Sequence, residues 1–123
     1  MSSFGSDMSK WAKKTMSDAG RVAVETKLRL FNGIINDTRV DEGRLKGNWQ
    51  TSAGSPKLTE IDRLDKTGEL AISEAAENVT PFGVDYITNN LPYAEVWEEE
   101  DGMVSKNLAR IERNLKEAVT DVK

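Results

Sequence analysis

The longest periodic stretch of the chain runs from Asp7 to Asn36. Set at 100° intervals, Met8, Trp11, Ala12, Met16, Ala19, Val22, Ala23, Leu30 and Ile34 gather on one broad stripe, which predicts a single long helix over residues 7–36 with weak points only at Gly20 and Gly33. A second stripe, Val24, Leu28, Phe31 and Ile35, lies on the far side in the C-terminal half alone. The second half therefore needs cover on two sides, either from the sheet and C-terminal helix of its own fold or from a neighbouring subunit. Residues 1–6 are expected to be flexible. Asn36, Asp37, Asp41 and Gly43 then supply turn chemistry.

Beyond the turn the period changes. In RLKGNWQTS, Leu45, Gly47, Trp49 and Thr51 alternate with Arg44, Lys46, Asn48 and Gln50, the pattern of a half-buried strand in which Gly47 implies a bulge or a closely packed neighbour. SAGSP should turn the chain, and KLTEID is expected to return as a short second strand, forming a hairpin. Ile72, Ala75, Ala76 and Val79 follow helical spacing, with Asp65 or Thr67 able to cap a helix from about Gly68 to Asn78; the alternation of Leu70 and Ile72 leaves a strand as the alternative. VDYITNN reads as a strand with Val84, Tyr86 and Thr88 on one face and Asp85, Ile87 and Asn89 on the other, stopped by Asn90 and Pro92. Ser105 can cap a last helix over 105–122, whose Leu108, Ile111, Leu115, Ala118 and Val122 form a strict stripe. The sum is an α+β fold, a small antiparallel sheet packed by a long N-terminal helix and a C-terminal helix, in one domain over residues 1–123 with its sheet-containing core at 44–90.

One segment stands apart from this scheme. In NNLPYAEVWEEEDGMV, residues 89–104, Tyr93, Val96 and Trp97 fall on one side of a helical turn and leave Glu95, Glu98, Glu99 and Glu100 largely free. An apolar anchor with an acidic rim suits a contact surface for a basic partner. The alternative is that both aromatics tuck into the domain's own core.

Composition narrows the chemistry. The chain of 123 residues has no Cys, which excludes a disulfide framework and thiolate catalysis, and no His, the commonest metal ligand and general base. Neither GxGxxG nor GxxxxGK occurs, the carboxylates of Glu98, Glu99, Glu100 and Asp101 have no partner base in view, and EEEDG lacks the alternate-position order of a calcium loop. No catalytic, cofactor or metal residues are therefore assigned, and the expectation is a protein that is not an enzyme. No apolar run has membrane-spanning length, and MSSFGSDMSK lacks the basic and apolar regions of a secretory signal, so an intracellular, membrane-free setting is expected.

The net charge of −4 hides a patchwork: residues 8–35 carry six basic and two acidic side chains, residues 57–80 three and six, and residues 93–102 none and five. Oppositely charged surfaces on one small domain could pair between copies, or could be ordinary solvated faces. Lys10, Lys13, Lys14 and Arg21 share the polar side of the first helix, which leaves a small nucleic-acid-binding regulator as an alternative of another class.

Three pieces, VDEGRLKGNWQTSAGSP, DKTGELA and YITNNLPYAEVWEEEDGMV, resemble the small neck and minor tail proteins of tailed bacteriophages, the tail-completion or head–tail joining type. The resemblance rests on Asp41, Gly43, Arg44, Leu45 and Trp49; on Asn89, Asn90, Pro92, Tyr93, Ala94 and Glu98; and on Gly102, Met103 and Val104. It spans residues 40–104. Where the family has a longer glycine-containing loop before Gly-Met-Val, this chain has only Glu99, Glu100 and Asp101. The resemblance implies a structural virion protein of the neck, without enzymatic activity, that forms a ring of copies of itself between the connector or stopper and the tail terminator or tail-tube proteins. A tail terminator or head-side stopper is the alternative within that class. It also implies that genomic DNA passes nearby without specific binding. The expected contact residues are Trp11, Leu28, Phe31, Tyr93, Trp97, Glu98, Glu99, Glu100 and Asp101. Tyr93 is expected to pack inward, and Trp97 with the acids after it to face the partner.

Overall fold

A computed structural model of the chain describes residues 18–122. The predicted α+β architecture is what it shows. Helix α1 (Asp18–Asp37) leads to a short helix α2 (Arg44–Gly47), strand β1 (Trp49–Ala53), helix α3 (Glu69–Asn78), strand β2 (Asp85–Asn89), helix α4 (Ala94–Asp101) and helix α5 (Met103–Val122). The part of the predicted first helix that carries Met8, Trp11, Met16 and Lys10, Lys13 and Lys14, together with residues 1–6, lies outside the described residues.

Helix α1 is covered on two sides by its own fold. It packs against α5 along one face and against α3 along another, which accounts for both of its apolar stripes in the C-terminal half. Phe31, Ile34 and Ile35 are buried, and Leu28 and Leu30 are half-buried. The α1–α5 approach is close at Gly33, where a Cβ would collide with the Asn107 side chain. Asn107 is itself buried and donates to the Asp37 carboxylate (2.9 Å) and the Met103 carbonyl (2.7 Å), so a polar side chain sits in the helix–helix seam with its donors satisfied.

The core gathers Ile34, Ile35, Trp49, Ala71 and Met103, with Leu30, Ile72, Ile87, Trp97 and Val104 packed against it; a satellite cluster joins Leu45, Leu91 and Ala94. Trp49 is anchored at its polar end as well, since its indole N–H donates to Thr38 Oγ1 (2.8 Å), whose hydroxyl in turn donates to the Ile34 carbonyl (2.7 Å).

The sheet differs from the expected hairpin. Strand β1 pairs antiparallel with β2, Trp49 opposite Asn89 and Ala53 opposite Asp85, and KLTEID forms no strand. The reason is that β1's outer edge is already occupied by side chains. Arg63 donates to the carbonyls of Gly47 (2.7 Å) and Trp49 (2.8 Å), Glu74 accepts from the Thr51 N–H (3.1 Å), and Asn78 donates to the Thr51 carbonyl (2.8 Å). Residues 57–61 follow the sheet without a ladder, tied to it by Gln50 donating to the Thr59 carbonyl and by Ile61 N–H donating to Asn48 Oδ1.

One further boundary is corrected. The predicted strand over 44–52 begins as helix α2, because Gly43 at φ 91° turns the chain and its carbonyl receives the Gly47 N–H (2.9 Å) and the Asp65 N–H (2.9 Å). The close neighbour expected at Gly47 is present, and it is the Arg63 backbone. Helix α3 has the expected bounds and the expected cap. The buried Asp65 carboxylate accepts from the Gly68 N–H (3.1 Å) and the Ala71 N–H (3.0 Å), and Thr67 Oγ1 from the Glu69 N–H (3.3 Å). Its buried side is Ala71 and Ala75 with Ile72, while Ala76 is exposed.

Candidate contact surface

Residues 89–104 leave the end of β2 through two asparagines that act as ties. Asn89 donates to the Leu45 carbonyl (2.8 Å) and accepts from the Leu91 N–H (3.3 Å), and Asn90 donates to the Lys57 carbonyl (3.0 Å). Leu91 and Ala94 are thereby buried against Leu45, and Pro92 and Tyr93 project outward ahead of α4. Tyr93 is 40% exposed, which corrects the expectation that it packs inward; the buried places at this corner are taken by Leu91 and Ala94.

Trp97 is corrected in the opposite sense. It packs against both apolar clusters, bridging them, and its outer face is covered by the Arg39 guanidinium 3.6 Å from the ring centre. Arg39 is fixed in turn by a two-pronged ion pair with Asp101, Nε to Oδ2 at 2.7 Å and a terminal nitrogen to Oδ1 at 2.8 Å. The hydrogen bond to Asp101 raises the Arg39 pKa, and the same bond holds the Asp101 carboxyl below its usual range. Trp97 and Asp101 therefore lock the α1–α2 loop onto α4.

Glu98 has a structural duty too. Its two carboxylate oxygens accept from the N–H groups of Val104 (2.8 Å) and Ser105 (3.1 Å), so Glu98, one helix earlier, caps α5, and the helix starts at Met103 instead of the expected Ser105. The joint between α4 and α5 is the single residue Gly102 at φ 65°, a left-handed conformation that favours glycine. Its N–H donates to the Glu98 carbonyl (2.8 Å), and the following Met103 is buried in the core. The acids that remain outward are Glu95, Glu99 and Glu100, which make no hydrogen bond or ion pair among the described residues.

Tyr93 and Trp97 do meet the first half of the family-like sequence. With Arg39, Val40, Asp41, Glu42, Arg44 and Leu45 they line an open cleft of about 410 Å³. Val40 (44% exposed) adds apolar surface to it, Val96 (53%) is exposed on α4 beside Trp97 in sequence, and Arg44 is held to Asp62 by a surface ion pair at 3.2 Å. Of the other expected contact residues, Phe31 is buried inside the fold, Leu28 is half-buried on α1, and Trp11 lies outside the described residues.

Nothing in the local sequence marks Arg39 or Lys27 for the parts they play. The Lys27 ammonium donates to the carbonyls of Thr80 (2.7 Å) and Gly83 (2.8 Å) and to Asp85 Oδ2 (2.7 Å), and the Asp85 side chain is 2% exposed. These partners are 53 to 58 residues apart in the chain, and no local spacing announces them. Glu98 did leave a signal: a carboxylate four residues before a glycine that ends its helix can reach the first amides of the next one. Among the described residues no group of His, Cys, Asp or Glu is placed to hold a metal ion, and no helix is long and apolar enough to cross a membrane. Compared with protein-family models, with curated proteins and with solved structures, the chain finds no match in any of the three.

Proposed function

We propose that this chain is a structural subunit of the neck of a tailed bacteriophage particle, a tail-completion protein that assembles as a ring with copies of itself and joins the connector to the tail. The observation that carries the reading is the convergence of two of the three segments that resemble the family. Asp41, Arg44 and Leu45 from one, and Tyr93 and Trp97 from the other, stand around a single cleft. Its surroundings suit protein contact. Tyr93, Val40 and Val96 leave apolar area in solvent, and the exposed carboxylates of Glu95, Glu99 and Glu100, none of them in an ion pair among the described residues, select a basic partner.

The division of labour inside the segment supports the same role. Trp97, Glu98 and Asp101 hold the cleft wall in place, so the outward residues are presented by a rigid α4–Gly102–α5 corner and lose little freedom on docking. Tyr93, Val96, Glu95, Glu99 and Glu100 are then the contacting residues. The test is purification and imaging of the intact particle that encodes this chain. The chain should be found at the head–tail joint, and its deletion should leave filled heads and tails unjoined. Normal joined particles after deletion would overturn the reading. Tyr93→Ser with Val96→Ser should reduce joining while the isolated chain keeps its thermal midpoint.

A further inference from the structure

The two edges of the sheet are finished differently. Donation from the Gly54 N–H to the Val84 carbonyl (2.8 Å) marks 54 and 84 as a hydrogen-bonded pair, so alternation makes 52 with 86 and 50 with 88 bonded pairs as well. The backbone groups of Trp49, Thr51 and Ala53 on β1, and of Asp85, Ile87 and Asn89 on β2, therefore point away from the ladder. On β1 the Trp49 carbonyl and both Thr51 groups, at the start and middle of the strand, meet Arg63, Glu74 and Asn78, and only the exposed last residue, Ala53, is left without such cover. On β2 the N–H and C=O groups of those three residues have no hydrogen-bond partner among the described residues, and β1 is the one described strand that pairs with it. The devices that blunt an open edge are missing as well. DYITN contains neither Lys nor Pro, its register is unbroken, and its one charge, Asp85, is turned inward onto Lys27 and Thr80.

We infer that β2 is a docking edge for a second copy of this chain, pairing antiparallel with its own counterpart about Ile87 so that two two-stranded sheets join into one of four strands. The occupant follows from the edges themselves. Strand-to-strand contact needs an open edge from each side, and β2 carries the only open one among the described residues, so the contact is self-complementary. In the register that engages all five residues, Asp85 falls opposite Asn89 and Tyr86 opposite Thr88. No like charges meet, and an aromatic ring pairs with a β-branched side chain on either side of the centre.

The ends of the strand match too. Phe82 (73% exposed) and Val84 (64%) stand just before it, and Pro92 and Tyr93 just after. Antiparallel pairing carries the Phe82–Val84 end of each copy to the Pro92–Tyr93 end of the other, covering apolar surface that the single chain leaves in water. The Phe82 turn is already ordered by the three bonds of Lys27, so it docks as a preformed knob. None of this rests on the neck reading, which stands or falls at the particle.

The test uses the full chain in solution. Sedimentation equilibrium should show a monomer–dimer equilibrium, and the Ile87 amide, fast to exchange in the dilute chain, should slow as the dimer fills. Tyr86→Lys with Thr88→Lys places lysines opposite lysines at both cross-strand positions and should abolish the dimer, as should Tyr86→Glu with Thr88→Glu. An equimolar mixture of the two variants should restore a heterodimer, which loss of folding could not produce. A wild-type chain that stays monomeric at every concentration, a dimer in which Ile87 exchange is unchanged, or two folded variants that do not associate would each overturn the inference. Should either variant fail to fold, the exchange measurement on the wild-type chain still decides.

Discussion

Strands β1 and β2 have equal length and share one ladder, yet the surfaces outside them are put to opposite uses. Beyond β1 lie Arg63, Glu74, Asn78 and Asp65, whose polar atoms are aimed at backbone groups of the strand and of α3. Beyond β2, and continuing onto α4, lie bare backbone groups, the exposed side chains of Phe82, Val84, Tyr93 and Val96, and three unpaired glutamates. A domain of this size has one modest core to stabilise it. Concentrating polar satisfaction on one flank leaves the other free to be finished by another molecule. The comparison also separates two kinds of acid. Asp65, Asp85, Glu98 and Asp101 each hold backbone or a cation in place, whereas Glu95, Glu99 and Glu100 make no hydrogen bond through their carboxylates among the described residues, and Glu100 only adds its charge to the field around Arg39.

Trp97 is the residue on which this contrast can be broken most forcefully, because it borders the open flank but serves the core. Trp97→Ala should lower the unfolding free energy by about 3 kcal/mol, since the truncation empties the junction of two clusters. Urea unfolding checks this, and a loss below about 1 kcal/mol would return Trp97 to the contact surface. Next in size is Arg63→Ala on the closed flank. It uncovers the Gly47 and Trp49 carbonyls and should cost about 2 kcal/mol by the same measurement.

Acid provides a third handle, on the hinge between the flanks. Burial alone would raise the Asp85 carboxyl, but the Lys27 ammonium and the Thr80 N–H and hydroxyl outweigh it and hold the carboxyl below its ordinary value. Its folded-state value is the lower one, so the charged form contributes stability above the unfolded value, about 3.9, and that contribution is lost as the pH falls through the folded value. Unfolding midpoints measured on descending from about pH 4 should therefore fall in the wild-type chain and fall less steeply in Asp85→Asn. A parallel decline in both would sever the turn at Thr80 from α1. The smallest effects belong to the open flank. Phe82→Ser and Glu99→Gln should each change monomer stability by less than about 0.5 kcal/mol in dilute solution. A larger loss for Phe82→Ser would mean that the knob belongs to the fold.

Much of the fold was legible locally. The helical period placed α1, α3 and α5, and alternation placed β2, because side chains three or four apart on a helix, or two apart on a strand, share a face whatever the rest of the chain does. Asp65 was recognisable as a cap for α3 for the same local reason. The strand predicted over residues 44–52 failed in its first half because alternation from Arg44 to Gly47 is too short to resist the turn set by Gly43. The hairpin failed because KLTEID had a competitor for the β1 edge that no window of sequence contains.

The contact segment shows the same limit. Tyr93 was expected inward and Trp97 with the acids after it outward, and the structure divides them otherwise: Trp97, Glu98 and Asp101 are engaged by the fold, and Tyr93, Val96, Glu95, Glu99 and Glu100 face outward. That split depends on Arg39, 58 residues before Trp97 in numbering, arriving over the indole ring. By itself the sequence determined the class of fold, the extent of most elements and the absence of thiol and imidazole chemistry, since those follow from residue identity and near-neighbour spacing. Which strands pair, which edge is sealed and how Asp85 and Asp101 are engaged were decided only in three dimensions, because each depends on a donor and an acceptor brought together from distant parts of the chain.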